Sequence, residues 1–267
     1  MGLVWRAEDE LLRRAVALKE VFVNDPMSED PRKAARLCAL REARAAARVD
    51  HYGVVRIHDV VKEGGRPWIV MELLRGRTLA EKLDAEGPLS IDQVTRVGLR
   101  LLEVLRAVHR AGIVHCDIKP ANIQLCRGGR LVLTDFGIAR RADSDPGSTT
   151  QMFAGSPAYA SPERLRGDQA GPASDLFLLG ATLFTLIEGR PPFDKGDLFA
   201  TLTALAVDAP APPRRAGPLR PVIEGLLAKE PHRRLTANQA QAALLAIRRG
   251  HRTPAAGHRP QWTLESR

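Results

Sequence analysis

Short β-branched apolar runs dominate the first 75 or so residues, and helical spacing dominates the rest. "VALKEVFV" (16–23) and "RPWIVMEL" (66–73) predict strands. Between them "EDPRKAARLCALREARAAARVD" predicts a helix, with Asp30 suited to the cap and Pro31 to the first turn. Thr78 with Glu81 and Ser90 with Gln93 have the spacing of capping boxes. After Ser90, Val94, Val97, Leu101, Leu105 and Val108 recur at helical spacing, and Gly112 supplies the stop. "NIQLCRGGRLVL" predicts a hairpin turning at Gly128 and Gly129. The run "LFLLGATLFTLI" (176–187) is apolar on every face and predicts a helix inside a core, ended by Gly189 before Pro191 and Pro192. A Ser/Thr/Gly-rich stretch, 143–151, predicts a flexible loop. A Pro-rich loop (209–221) leads into two short helices, the second opened by Thr236 and Gln239. Periodicity is lost over 250–267, which reads as a loose tail.

This pattern is α+β: a small strand-rich lobe, a linker near Leu73 to Arg77, and a large helical lobe. At 267 residues the chain is long enough for two lobes sharing a cleft, where small-molecule ligands commonly bind. With 44% hydrophobic and 27% charged residues it is an ordinary soluble globular sequence, not a disordered one. Cys38, Cys116 and Cys126 are odd in number and lack paired ligand spacing, which argues against a disulfide framework or a zinc site. A reducing, cytoplasmic compartment is expected. No apolar run is long enough to span a bilayer, and no signal peptide precedes the first charged residues. The net charge of +9 is spread along the chain without interleaved aromatics. That argues for a basic surface attractive to ATP or acidic substrates and against nucleic acid as a partner.

Two groups of residues carry candidate chemistry. Alternation puts Ala17, Lys19 and Val21 on one strand face, where Lys19 could simply snorkel at an edge. Glu42, however, lies on a helical stripe with Ala35, Cys38, Ala46 and Val49, and a carboxylate on an apolar stripe needs a partner. Lys19 is a candidate for that partner, and the pair would aim Lys19 at an anionic ligand. The second group is "HCDIKPAN" followed by "TDFG". Asp117, Asn122 and Asp135 are oxygen donors suited to magnesium and to a hydroxyl nucleophile. Each alone could be a hydrogen-bonded loop residue.

In this order the motifs resemble those of the eukaryotic-like protein kinases, most closely the bacterial serine/threonine kinases. The resemblance covers about residues 1–248. It implies a two-lobed kinase domain, with an N-lobe over about 1–72, a hinge over about 72–77, a C-lobe over about 78–248, and a flexible basic tail, 249–267. "VALK" is similar to the strand motif whose lysine, here Lys19, binds the α- and β-phosphates, with Glu42 of "REAR" as its ion-pair partner. Val4, Ala17 and Gln124 fall on adenine-site positions. In "IVMELL", Met71 matches the gatekeeper, and Glu72 and Leu74 match the residues whose backbones face adenine. The resemblance further implies Asp117 as catalytic base, Lys119 as a γ-phosphate contact, and Asn122 and Asp135 as magnesium ligands, hence ATP and Mg2+ as cofactors. Ser148, Thr149, Thr150 and Ser156 fall in the activation segment. Glu163, near its end, is matched with Arg234 as an ion pair. Lys119 and the pair Gly155 and Ser156 imply serine/threonine specificity, so the expected partners are protein substrates, together with a second copy of the chain bound through the N-lobe.

Three departures from the family pattern stand out. Its glycine-rich loop reads G-x-G-x-x-G-x-V, and Gly2 with Val4 matches only the end of it. The first strand and two glycines are therefore expected to be missing, ATP is expected to bind weakly, and Met1 is expected to be an internal methionine of a longer reading frame. Gln124 stands where Leu or Met is usual, so its amide needs a partner. Cys116 replaces an arginine that pairs with activation-loop phosphate; it is either a small buried hydrophobe or a reactive thiol. The expected activity is transfer of the ATP γ-phosphoryl group to Ser/Thr hydroxyls. The alternative is a pseudokinase, a scaffolding module with little or no nucleotide binding. A small-molecule kinase is a third reading, which the peptide-docking look of "GSPAYASPE" (155–163) opposes.

Overall fold

The computed structural model describes residues 3–20, 31–64, 66–136 and 157–250. Strand β1 (Val4–Asp9) pairs antiparallel with β2 (Arg14–Glu20), which pairs with β4 (Arg66–Glu72), which pairs with β3 (Ile57–Glu63). The sheet order is β1-β2-β4-β3. Register sets Lys19 opposite Ile69 and Ala17 opposite Met71, so all four share one face. Helix α1 (Pro31–Ala47) covers that face, with Ala39 and Ala43 packed against Ile69. These alanines have no bulk beyond Cβ, which lets the helix lie close to the strands and brings Glu42 within reach of Lys19.

The polypeptide then crosses to a second sheet, β5 (Gly76–Thr78), β6 (Ile123–Cys126) and β7 (Leu131–Leu133), in the order β5-β6-β7. Helix α2 (Leu79–Glu86) opens on the Thr78–Glu81 capping box, and α3 (Ile91–Arg110) on the Ser90–Gln93 box. The hairpin between β6 and β7 turns where expected, with Gly128 and Gly129 both at φ 79°. Behind the hairpin lie α4 (Pro162–Leu165), α5 (Pro172–Glu188), α6 (Leu198–Val207), α7 (Arg220–Leu226) and α8 (Ala237–Gly250). Every residue of α5 from Ser174 to Ile187 is buried, and Gly189 caps it at φ 84°. A Cβ on Gly98 of α3 would lie 2.9 Å from Leu244 Cδ1 of α8, so a larger residue there would push that leucine aside.

Several elements differ from the sequence reading. The core helix begins at Pro172, earlier than the apolar run, because Pro and a polar first turn suit a helix start. Helix α8 spans 14 residues and is not short. Helix α6 was not expected: its residues are apolar without a stripe, and only Asp197, accepting from the amides of Phe199 and Ala200, marks its start. The strand expected over 16–23 is described as far as Glu20, and the remainder, like 251–267, lies outside the described residues. Among the described residues, no helix is long and apolar enough to cross a membrane.

Candidate active site

Lys19 on β2 donates to Glu42 Oε1 of α1 at 2.6 Å and to Asp135 Oδ1 at 2.7 Å. The ammonium side chain is 13% exposed and Glu42 14%, whereas Asp135 is 42% exposed and opens toward solvent. Burial would push the Lys19 pKa down, but the two carboxylates outweigh it and hold the pKa above its ordinary value. Lys19 is therefore a fixed positive charge. Asp135 itself has φ 57°, a left-handed conformation that a residue with a side chain rarely adopts.

The catalytic-loop candidates lie between α3 and β6 and are pinned from below by one carboxylate. Asp175, fully buried near the start of α5, accepts from the amides of His115 (2.9 Å) and Cys116 (2.8 Å) and from His109 Nε2 (2.8 Å). These bonds hold Cys116 at φ 66°, strain that the surroundings must enforce. The Cys116 side chain is buried, as a small hydrophobe would be, and its carbonyl accepts from Arg164 at 2.8 Å. His115 is wholly buried beside Phe136, with ring centroids 4.7 Å apart. Its Nδ1 accepts from the Asp117 amide and its Nε2 meets the Thr134 carbonyl, a pattern that requires the neutral Nε2–H ring. Burial pushes its pKa down, in the same sense.

Above this platform Asp117 receives Lys119 Nζ at 3.0 and 3.1 Å and Asn122 Nδ2 at 2.8 Å. Asn122 also donates to the Asp117 carbonyl. Its Oδ1 makes no hydrogen bond among the described residues. Lys119 and Asn122 are both buried, so the Asp117 carboxylate is oriented by two partners that cannot swing into solvent.

The remaining expected residues are distributed as follows. Val4 lies opposite Lys19 in register and is 58% exposed. Ala17 is buried, and Met71, Glu72 and Leu74 are partly buried along the end of β4 and the hinge. Gln124 pairs with Thr78 and Val132, and its side chain makes no hydrogen bond among the described residues, so the partner its amide needs is not supplied there. Arg234 and Glu163 form a buried two-pronged pair at 2.9 and 3.1 Å, with Ser174 Oγ donating to the same carboxylate. Burial would raise Glu163, but Arg234 and Ser174 hold it below the ordinary glutamate value. Met1, Gly2, Ser148, Thr149, Thr150 and Ser156 lie outside the described residues. Asp175, His109 and Arg164 were not singled out from sequence. The available signal was Asp175 itself, a carboxylate heading an apolar helix.

A model of the protein kinase domain matches residues 1–244. The chain belongs to the protein kinase family. It is 36% identical over 273 residues to serine/threonine-protein kinase PknA of Mycobacterium tuberculosis, covering 97% of this chain and 61% of that one. It is 35% identical to serine/threonine-protein kinase drp72 of Corynebacterium efficiens, over 95% of this chain and 50% of the relative. Against serine/threonine-protein kinase PknL of Mycobacterium bovis the identity is 37%, over 84% and 53%. The kinase chain thus spans between half and two thirds of the length of these relatives. Its two-lobed form, a small antiparallel sheet packed by α1 and a larger helical lobe, is that expected from the sequence.

Proposed function

We propose that the chain is an ATP-dependent serine/threonine protein kinase domain. The observation that carries this reading is the Asp117 carboxylate held by buried Lys119 and Asn122. A hydroxyl brought to Asp117 would meet an oriented acceptor for its proton as attack on phosphorus develops. Lys119, buried against Asp117, would stabilise negative charge on the transferred group. Lys19, fixed by Glu42, would bind the non-transferred phosphates. Protein kinases use ATP and magnesium, and the donor set here fits both: a partly exposed carboxylate on Asp135, an amide oxygen on Asn122 with no hydrogen bond among the described residues, and a fixed cation. Magnesium, when bound by those two residues, would neutralise phosphate charge. Val4, Ala17 and Gln124 would enclose the base, and the Glu72 and Leu74 backbones would face its edge.

The domain is proposed to span about 1–248, with the tail leaving it where α8 ends at Gly250. Serine/threonine specificity and protein substrates rest on Lys119 two residues after Asp117 and on the names of the relatives. Those names do not support the scaffolding alternative. A cytoplasmic location is consistent with the unpaired cysteine count. Exposed Leu3 and Trp5 beside the outer edge of β1 favour a self-association through the N-lobe. The experiment for the activity is transfer of labelled γ-phosphate to a basic protein substrate, with phosphoamino-acid analysis. Label on serine or threonine supports the reading, and label on tyrosine alone or none at all refutes it.

A further inference from the structure

One ion pair joins the end of β4 to the β6–β7 hairpin. Arg130 follows the Gly128–Gly129 turn, and its carbonyl accepts from the Cys126 amide at 2.8 Å, so its backbone belongs to the second sheet. Its side chain crosses to the first. Nη1 donates to Glu72 Oε2 at 2.7 Å and Nη2 to Glu72 Oε1 at 2.9 Å, while Nε donates to the Tyr52 carbonyl at 2.6 Å. All three guanidinium nitrogens are used. Glu72 Oε1 also accepts from the Arg56 amide at 2.8 Å, and the Glu72 amide donates to the Arg56 carbonyl. The segment carrying Tyr52 is itself tied to β7, through Leu133 N to Gly53 O and Val55 N to Leu133 O. Arg130 therefore clamps three pieces of backbone: the hinge start, the segment after α1, and the hairpin.

A planar two-pronged pair of this kind is directional as well as attractive, unlike an isolated surface contact. Burial alone would raise the Glu72 pKa, but Arg130 and the Arg56 amide hold it below the ordinary value, so the carboxylate is charged near neutrality. The pair is one third exposed on the Arg130 side and one fifth on the Glu72 side. It stands where the first lobe passes into the hinge.

We propose that Arg130 is a positioning residue for nucleotide binding: by locking the Glu72 side chain to the second sheet, it sets the hinge backbone at the angle from which that backbone meets the base. This rests on the reading of the chain as an ATP-dependent kinase. Arg130 touches no reacting atom, so its effect falls on affinity rather than on the chemical step.

The test compares wild type with Arg130→Met, Arg130→Lys and Glu72→Gln. Magnesium-ATP affinity is measured by calorimetry, KM and kcat by phosphate transfer, and amide exchange over residues 73–77 by mass spectrometry. Arg130→Met is expected to raise Kd and KM for ATP about tenfold with kcat within about threefold. Arg130→Lys should recover little of this, because one ammonium cannot reproduce the fork. Glu72→Gln, which keeps the shape, should raise Kd about threefold, and hinge exchange should quicken in all three. Unchanged Kd and unchanged exchange in folded Arg130→Met overturn the proposal, as does a loss confined to kcat. If Arg130→Met fails to fold, Glu72→Gln decides by the same criteria. Wild type that binds no ATP refutes the kinase reading instead, and hinge exchange still reports whether the clamp exists.

Discussion

Lys19 Nζ donates to Asp135 Oδ1 across 2.7 Å, from a strand to a loop 116 residues away, while also holding Glu42 Oε1 at 2.6 Å. Two carboxylates thus share one ammonium, and the group carries a net negative charge that a divalent cation would offset. This sharing makes the two carboxylates unequal to loss. Lys19→Met removes the only cation of the trio and should lower kcat/KM by about a hundredfold or more. Glu42→Gln leaves Lys19 still held by Asp135 and should lower it by only about tenfold. Steady-state kinetics with ATP varied decides between these outcomes, and equal losses in the two variants would contradict the sharing.

His115 gives the fold a pH signature. Its ring is buried and neutral, and its pKa is below the ordinary 6.5. As pH falls below 6.5 the unfolded chain takes up a proton that the folded chain refuses, so stability drops until the depressed folded value is passed. Glu163 adds a second loss at lower pH, beginning below about 4.5, where the unfolded carboxyl protonates before the folded one. Thermal melts between pH 8 and pH 4 should show Tm falling in two stages. A variant His115→Phe should shrink the first stage to the part left by His58, whose pKa is also lowered by burial, and keep the second.

Asp175 satisfies two buried amides and the partly buried His109 ring at once. Asp175→Ala would leave the His115 and Cys116 amides and His109 without their acceptor, at a cost of about 3 kcal/mol or more. It would also release Cys116 from its left-handed backbone and so misplace Asp117. Urea unfolding should show the loss, and phosphate transfer should fall further than the unfolded fraction explains. An active variant with unchanged urea midpoint would show that Asp175 does not hold the loop.

Cys116 has no charge to offer a phosphate, so it cannot make the contact with activation-loop phosphate that an arginine there would make. Replacing Ser148, Thr149 and Thr150 together with alanine should therefore change the initial rate by less than about tenfold relative to phosphatase-treated wild type. A larger loss would mean that another basic residue has taken over the phosphate contact. Arg164, which donates to the Cys116 carbonyl, is one to examine.

The parts of the site that were readable from sequence are those whose chemistry is local. Capping boxes at Thr78 and Ser90, the glycine turn before Arg130, and Asp117, Lys119 and Asn122 each sit within a few residues of what they hold. Glu42 was readable because a carboxylate interrupts an apolar stripe. Asp175, His109 and Arg130 were not, because their partners are brought together only by tertiary packing. Helix α6 was missed for a different reason: a helix apolar without a stripe gives no period to detect.

The central claim is that Asp117 accepts the proton of a protein hydroxyl during phosphoryl transfer. Its most direct test is single-turnover transfer of labelled γ-phosphate to a basic protein substrate, comparing wild type with Asp117→Asn at matched ATP occupancy. The account predicts a loss of at least about a hundredfold in the transfer rate, with ATP affinity kept within about threefold. Transfer by Asp117→Asn within about threefold of wild type would contradict it.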